Sequence, residues 1–90
     1  MLKLNTSSRF KKDLKTCEKR GYNLKLLQDV IDILRIPDKL QDKNKDHYLI
    51  GNQKGRKECH VQPDWLLIYE IYEDELYLYR TGTHADLFKK

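Results

Sequence analysis

The apolar positions change period along the chain. Leu2 and Leu4 flank Lys3, a short alternation that fits an edge strand. From Phe10 the spacing turns helical: Phe10, Leu14 and Cys17 recur at i, i+4 and i+7. Ser7-Ser8 offers hydroxyls to the free amides of that helix's first turn, and Gly21 offers a left-handed stop. Asn23 caps a second helix, where Leu24, Leu27, Ile31 and Leu34 make one stripe. Leu26, Val30 and Ile33 widen the stripe into a packing face. Pro37 ends the helix because it disfavours helical geometry at Ile36.

Residues 37–45 read as an exposed loop, and beyond them the period becomes two. Arg56, Glu58, His60 and Gln62 alternate with Lys57, Cys59 and Val61, a strand with one polar face. Pro63-Asp64 turns the chain. The segment from Trp65 to Tyr72 is almost wholly apolar or aromatic, as a strand buried on both sides would be. Glu73-Asp74 turns again, Glu75 to Thr81 is a third strand, and Gly82 breaks it. Thr83 caps a last short turn ending at Leu87-Phe88. The expected class is α+β in the order β-α-α-β-β-β, with two helices packed on a small antiparallel sheet. One conflict stands: Leu76, Leu78 and Arg80 share parity, so strict alternation puts an arginine on an apolar face. Either Arg80 lies past the sheet edge or a bulge redirects it. The nearby Gly82 favours the first.

Length allows one domain, residues 1–90. No apolar run approaches the roughly 20 residues that span a bilayer, and the N-terminus shows no signal core. Cys17 and Cys59 lack CxxC spacing, so reduced thiols in a cytoplasm are expected. Charge is unevenly spread. Residues 1–45 hold 12 basic and 6 acidic side chains, and residues 46–90 hold 6 and 8. The basic first half, with Lys11, Lys12 and Lys15 on its first helix, suits a polyanionic partner; a solvated lysine face is the plain alternative. His47, His60 and His84 all lie in the other half.

Three imidazoles, Asp64 and Arg80 suit metal-free cleavage of RNA. That reaction takes a base for the 2′-hydroxyl, an acid for the leaving 5′-oxygen and a cation for the phosphorane charge. Histidine titrates in the right range for both proton transfers, and arginine binds phosphate through a rigid fork. The residues also carry a resemblance. Asp46-His47-Tyr48-Leu49 matches D-H-x-L. The run from Arg56 to Tyr69 matches R-x-x-H-[IV]-x-P-D-[WV]-[LIV]-L-[IV]-Y, and Arg80 to Phe88 matches R-x-G-[ST]-H-[AS]-x-L-F. Together they resemble the YafQ-like toxins of the RelE/ParE superfamily over essentially the whole chain.

The resemblance implies the toxin of a type II toxin–antitoxin pair, a ribosome-dependent mRNA endonuclease that needs no cofactor and is blocked by a cognate antitoxin. It implies His47, His60, Asp64 and His84 as catalytic residues, Arg80 as the phosphate-stabilising cation and Phe88 as an aromatic near the RNA. His84 or His47 would move protons and Asp64 would orient or act as base; which histidine is base and which is acid stays open. Arg56, Lys11, Lys12 and Lys15 are further substrate contacts. Trp65 has two readings, core packing first and a base-stacking contact second. Glu58, aspartate in some relatives, is assigned no indispensable role. Lys89 and Lys90 extend past the usual terminal phenylalanine. Three other readings compete. One is a gyrase-directed or DNA-binding toxin of the same fold, which should lack the histidine set. Another is a zinc site from His47, Cys59, His60 and His84, opposed by the opposite faces of Cys59 and His60 in a strand. The last is a non-catalytic binding module.

Overall fold

The computed structural model describes residues 2–36 and 55–88, and the backbone of residues 47–48. Its elements are β1 (Lys3–Thr6), α1 (Ser8–Lys19), α2 (Leu24–Arg35), β2 (His47–Tyr48), β3 (Lys57–Gln62), β4 (Trp65–Tyr72), β5 (Glu75–Gly82) and α3 (His84–Leu87). The strands form one sheet in the order β1-β5-β4-β3-β2. Pairing is antiparallel from β3 to β5, as expected, and the two-residue β2, which the sequence reading did not include, joins β3 antiparallel as well. The edge strand β1 departs from that pattern and runs parallel to β5, with Lys3 opposite Glu75 and Thr6 opposite Leu78. The expected 37–45 loop lies outside the described residues.

Capping follows the sequence. The Ser7 hydroxyl accepts from the Phe10 amide at 2.9 Å and Asn23 accepts from the Lys25 amide at 3.1 Å, each filling one of the donors a helix start leaves open. Gly21 follows α1 with φ 78°, a left-handed turn in open space. Both helices lie on one face of the sheet. Phe10 and Cys17 of α1 and Leu27, Val30, Ile31 and Leu34 of α2 bury against Cys59, Trp65, Leu67, Tyr69, Leu76 and Leu78. Leu66 and Ile68 alternate with that set and are equally buried on the other face. The two-sided burial expected of this strand is therefore present.

Two bulges set the chemistry. In β3 the register slips between His60 and Gln62, just before the Pro63-Asp64 turn. In β5 it slips at Tyr79: Tyr69 pairs with Leu78, but Ile68 pairs with Arg80. Parity therefore flips. Leu76 and Leu78 face the helices, then Thr81 does, and Arg80 joins the row of Ile68 and Glu58. Arg80 does not lie past the sheet edge, as the nearby Gly82 suggested; it is inside β5, and the bulge removes it from the apolar face. The β1 ladder stops beside this slip, where the Ser7 amide donates to the Leu78 carbonyl and the Ser7 hydroxyl to the Tyr79 carbonyl. Beyond that point β5 has an open edge, which α1 crosses.

Candidate active site

The site forms where the β3–β4 turn meets the end of β5. Asp64 sits at the turn tip, and His84 is the first residue of α3. One oxygen of Asp64 accepts twice from His84, from its backbone N–H at 3.0 Å and at ring Nδ1 at 2.6 Å. First the backbone amide and then the ring hold the Asp64 carboxyl below the usual range. An ionised carboxylate only accepts, so Nδ1 carries the proton and Nε2 of His84 is the nitrogen left for chemistry. The His84 side chain is 53% exposed, so an incoming strand can reach it.

His60 lies beside His84, its ring edge-on with centroids 5.8 Å apart. It projects from β3 on the face opposite Cys59, which is buried in the helix-side core. Two residues before it on the same strand face is Glu58, 6% exposed, with Oε1 3.6 Å from His60 Nε2. The ligand atoms of Glu58, His60 and His84 all lie within 4.8 Å of one another. A buried carboxylate, a half-buried imidazole and an exposed imidazole thus converge.

Residues 2–89 match the family model for the bacterial toxin of type II toxin-antitoxin system, YafQ. The chain belongs to the YafQ family. It is 40% identical over 85 residues to the mRNA interferase toxin YafQ of Escherichia coli K12, covering 91% of this chain and 90% of that one. The crystal structure of a metal-bound toxin from Helicobacter pylori superposes with a TM-score of 0.92 at 47% identity, over 98% of this chain and all of that one. The YafQ subunit of the E. coli DinJ-YafQ toxin-antitoxin complex superposes with a TM-score of 0.87 at 37% identity, over 98% and 99%.

In this YafQ-family chain the other expected site residues divide. Phe88 is exposed just after His84, and its amide donates to the His84 carbonyl at 2.8 Å. Lys11, Lys12 and Lys15 are exposed on α1. Arg56 lies with its guanidinium 3.9 Å from the centre of the Tyr79 ring, and Tyr79 donates to Glu70 at 2.8 Å. Arg80 pairs with Asp13 of α1, Nε to Oδ2 at 2.7 Å. The backbone of His47 lies opposite Glu58 in β2, on the strand beside His60; its side chain lies outside the described residues. Lys89 and Lys90 also lie outside them.

Trp65 is not a substrate contact. It is 2% exposed, its indole N–H donates to the Thr81 hydroxyl at 2.9 Å, and its ring packs on Tyr22. The packing reading stands because a strand buried on both sides leaves the indole no route to solvent. Three residues were missed. Glu58 shares a strand face with His60, a parity visible in the sequence. Asp13 is the only acid among the first 17 residues, in a run of lysines. Asp86 is gripped by Arg20 at 2.6 and 3.0 Å and also caps α3, accepting from the Thr83 amide at 3.0 Å.

Proposed function

We propose that the protein is a ribosome-dependent mRNA endonuclease of a type II toxin–antitoxin pair, with His84 as a proton-transfer group oriented by Asp64. The observation that carries this reading is the double contact of one Asp64 oxygen with the His84 amide and ring. It fixes the ring's tautomer and aim, which an uncommitted surface histidine lacks. The 2′-hydroxyl loses its proton to a base and its oxygen attacks phosphorus. The bond to the 5′-oxygen breaks, and that oxygen takes a proton from an acid, leaving a 2′,3′-cyclic phosphate and a 5′-hydroxyl. His84 performs one transfer through Nε2, and His60 and His47 supply the other imidazoles. Arg80 offsets the charge gathered on the phosphate oxygens.

The site holds few base-reading groups, so the ribosome would position the message. The exposed lysines of α1 suit its phosphates. A cognate antitoxin would block the toxin, a reading supported by the relative held in the DinJ-YafQ toxin-antitoxin complex, and both would meet in the cytoplasm. Among the described residues no helix is long and apolar enough to cross a membrane.

A second reading has its own observation. Glu58, His60 and His84 offer a carboxylate oxygen and two imidazole nitrogens close enough to share an ion after small side-chain adjustments, and a relative is a metal-bound toxin. This set replaces the Cys59-containing one, because Cys59 points into the core. A transition metal there would occupy the nitrogens that move protons. Cleavage should therefore survive a chelator and fall when zinc or copper is added.

The test is cleavage of a reporter mRNA under translation by wild type, His84→Ala and His60→Ala. Loss of in-frame breaks by at least 100-fold in His84→Ala, with its melting transition intact, is expected. Wild-type cleavage by His84→Ala would remove this histidine from the mechanism. Growth arrest without breaks would point to DNA topology as the target.

A further inference from the structure

The first helix carries a second stripe that its apolar face does not use. Arg9, Asp13, Thr16 and Arg20 recur at i, i+4, i+7 and i+11, so they share one face of α1. Arg9, Asp13 and Thr16, with Cys17, help line a cleft against Arg80, Thr81, Ala85 and Asp86, the stretch that passes from β5 into α3. Two ion pairs join the helix to that stretch, Asp13–Arg80 within the cleft and Arg20–Asp86 beside it. Asp13 accepts from Arg80 Nε at 2.7 Å and Nη2 at 3.3 Å, and also from the Thr81 amide at 3.1 Å. Arg20 forks onto both oxygens of Asp86. Between Thr81, held by the first pair's carboxylate, and Asp86 of the second stand Gly82, Thr83, His84 and Ala85.

The backbone explains why side chains do this work. The β1 ladder ends at Leu78, so among the described residues no strand meets the Thr81 amide on that edge of β5, and the Asp13 carboxylate takes its place. The same carboxylate engages the Nε–Nη2 edge of the Arg80 guanidinium. The Nη1–Nη2 edge is then the one placed to fork onto a phosphate, with its orientation already fixed. At the other end, Asp86 serves both the Arg20 fork and the α3 cap. Gly82 permits this arrangement, since a Cβ there would come 2.9 Å from Asp86 Oδ2.

We propose that Asp13 and Arg20 are positioning residues for catalysis: α1 holds Arg80 through Asp13 and His84 through the Arg20–Asp86 pair, fixing the cation relative to the imidazole. The proposal rests on the roles given above to Arg80 and His84. It makes α1 part of the active site, where its lysines alone would make it only a docking face.

Single-turnover cleavage on mRNA-programmed ribosomes tests it with Asp13→Asn, Arg20→Gln and Arg20→Lys. The expected result is a rate at saturating ribosomes at least tenfold lower for Asp13→Asn and Arg20→Gln. The half-saturating ribosome concentration should stay within threefold, and Arg20→Lys should recover most of its loss. A loss of ribosome affinity at unchanged rate would overturn the proposal, because a docking role alone predicts it. So would wild-type rates in both variants while Arg80→Ala and His84→Ala are inactive. If Arg80→Ala and His84→Ala themselves cleave normally, the underlying site assignment fails instead. A measurement on the wild type guards against variants that do not fold. The 15Nε relaxation of Arg80 should report a side chain as rigid as the backbone, and a freely averaging guanidinium would sink the idea.

Discussion

Trp65 ties the two ends of the site together through one atom. Its indole N–H reaches the Thr81 hydroxyl, and that hydroxyl donates onward to the Leu66 carbonyl at 2.7 Å. All three groups are buried, so losing the donor strands an acceptor without water to replace it. Trp65→Phe should lower unfolding free energy by about 2–3 kcal/mol, combining a lost buried hydrogen bond with a small packing defect. Denaturant unfolding will measure this, and a change below about 0.5 kcal/mol would show the bond to be dispensable. At this scale the sequence was legible where chemistry is local. Asp64 and His84 could be marked from motifs, but the turn between β3 and β4 points Asp64 to its neighbour His60, and its grip on His84, 20 positions on, was not readable. Asp13 could not be marked, because its partners are 67 and 68 positions away and nothing near it signals them.

At the scale of elements, the shortest helix carries His84 of the candidate site. The helix α3 has only four residues, too few to persist through its own hydrogen bonds. It is held by a reciprocal cap: the Thr83 hydroxyl accepts from the Asp86 amide at 3.1 Å while Asp86 accepts from the Thr83 amide. Thr83→Ala should weaken that turn by about 1 kcal/mol. Amide exchange at His84 to Leu87 should quicken, and cleavage should drop several-fold because the Asp64 contact depends on the turn. Unchanged exchange at those amides would mean that the Arg20 pair alone suffices. The helices and the three long strands were readable from period and caps, since each buries a face whose pattern is written in adjacent residues. The direction of β1 was not. A short strand carries no mark of which neighbour it will join, and its parallel partner is chosen by the packing of α1 and α2. The Tyr79 bulge was equally hidden: the misplaced parity of Arg80 raised it, but the nearby Gly82 pointed instead to the end of the strand.

Across the molecule, stability and chemistry share their carboxylates. Arg20 first, then the Thr83 amide, hold Asp86 well below the ordinary carboxylate range, and the His84 amide and ring hold Asp64 below it as well. Groups whose pKa is depressed on folding stabilise the native state fully above their unfolded value, near 3.9 for aspartate. That contribution fades as pH falls through that value toward the lower folded ones. The wild type should thus lose stability progressively below about pH 4. An Asp64→Asn/Asp86→Asn double variant should be less stable at pH 6 yet show a flatter decline between pH 4 and pH 2. Chemical denaturation at those pH values will show it, and parallel slopes would mean that other carboxylates govern the acid limb.

The parallel pairing of β1 with β5 also bears on when the toxin becomes dangerous. Lys3 waits for Glu75, so β1 has no sheet neighbour until β5, some seventy residues later, has been made. Asp13 waits likewise for Arg80, and Arg20 for Asp86. A nascent chain of this protein therefore cannot assemble its site on the ribosome that is building it until synthesis has passed β5 and α3. The wiring of the sheet thus makes the candidate site one of the last parts of this domain that can close.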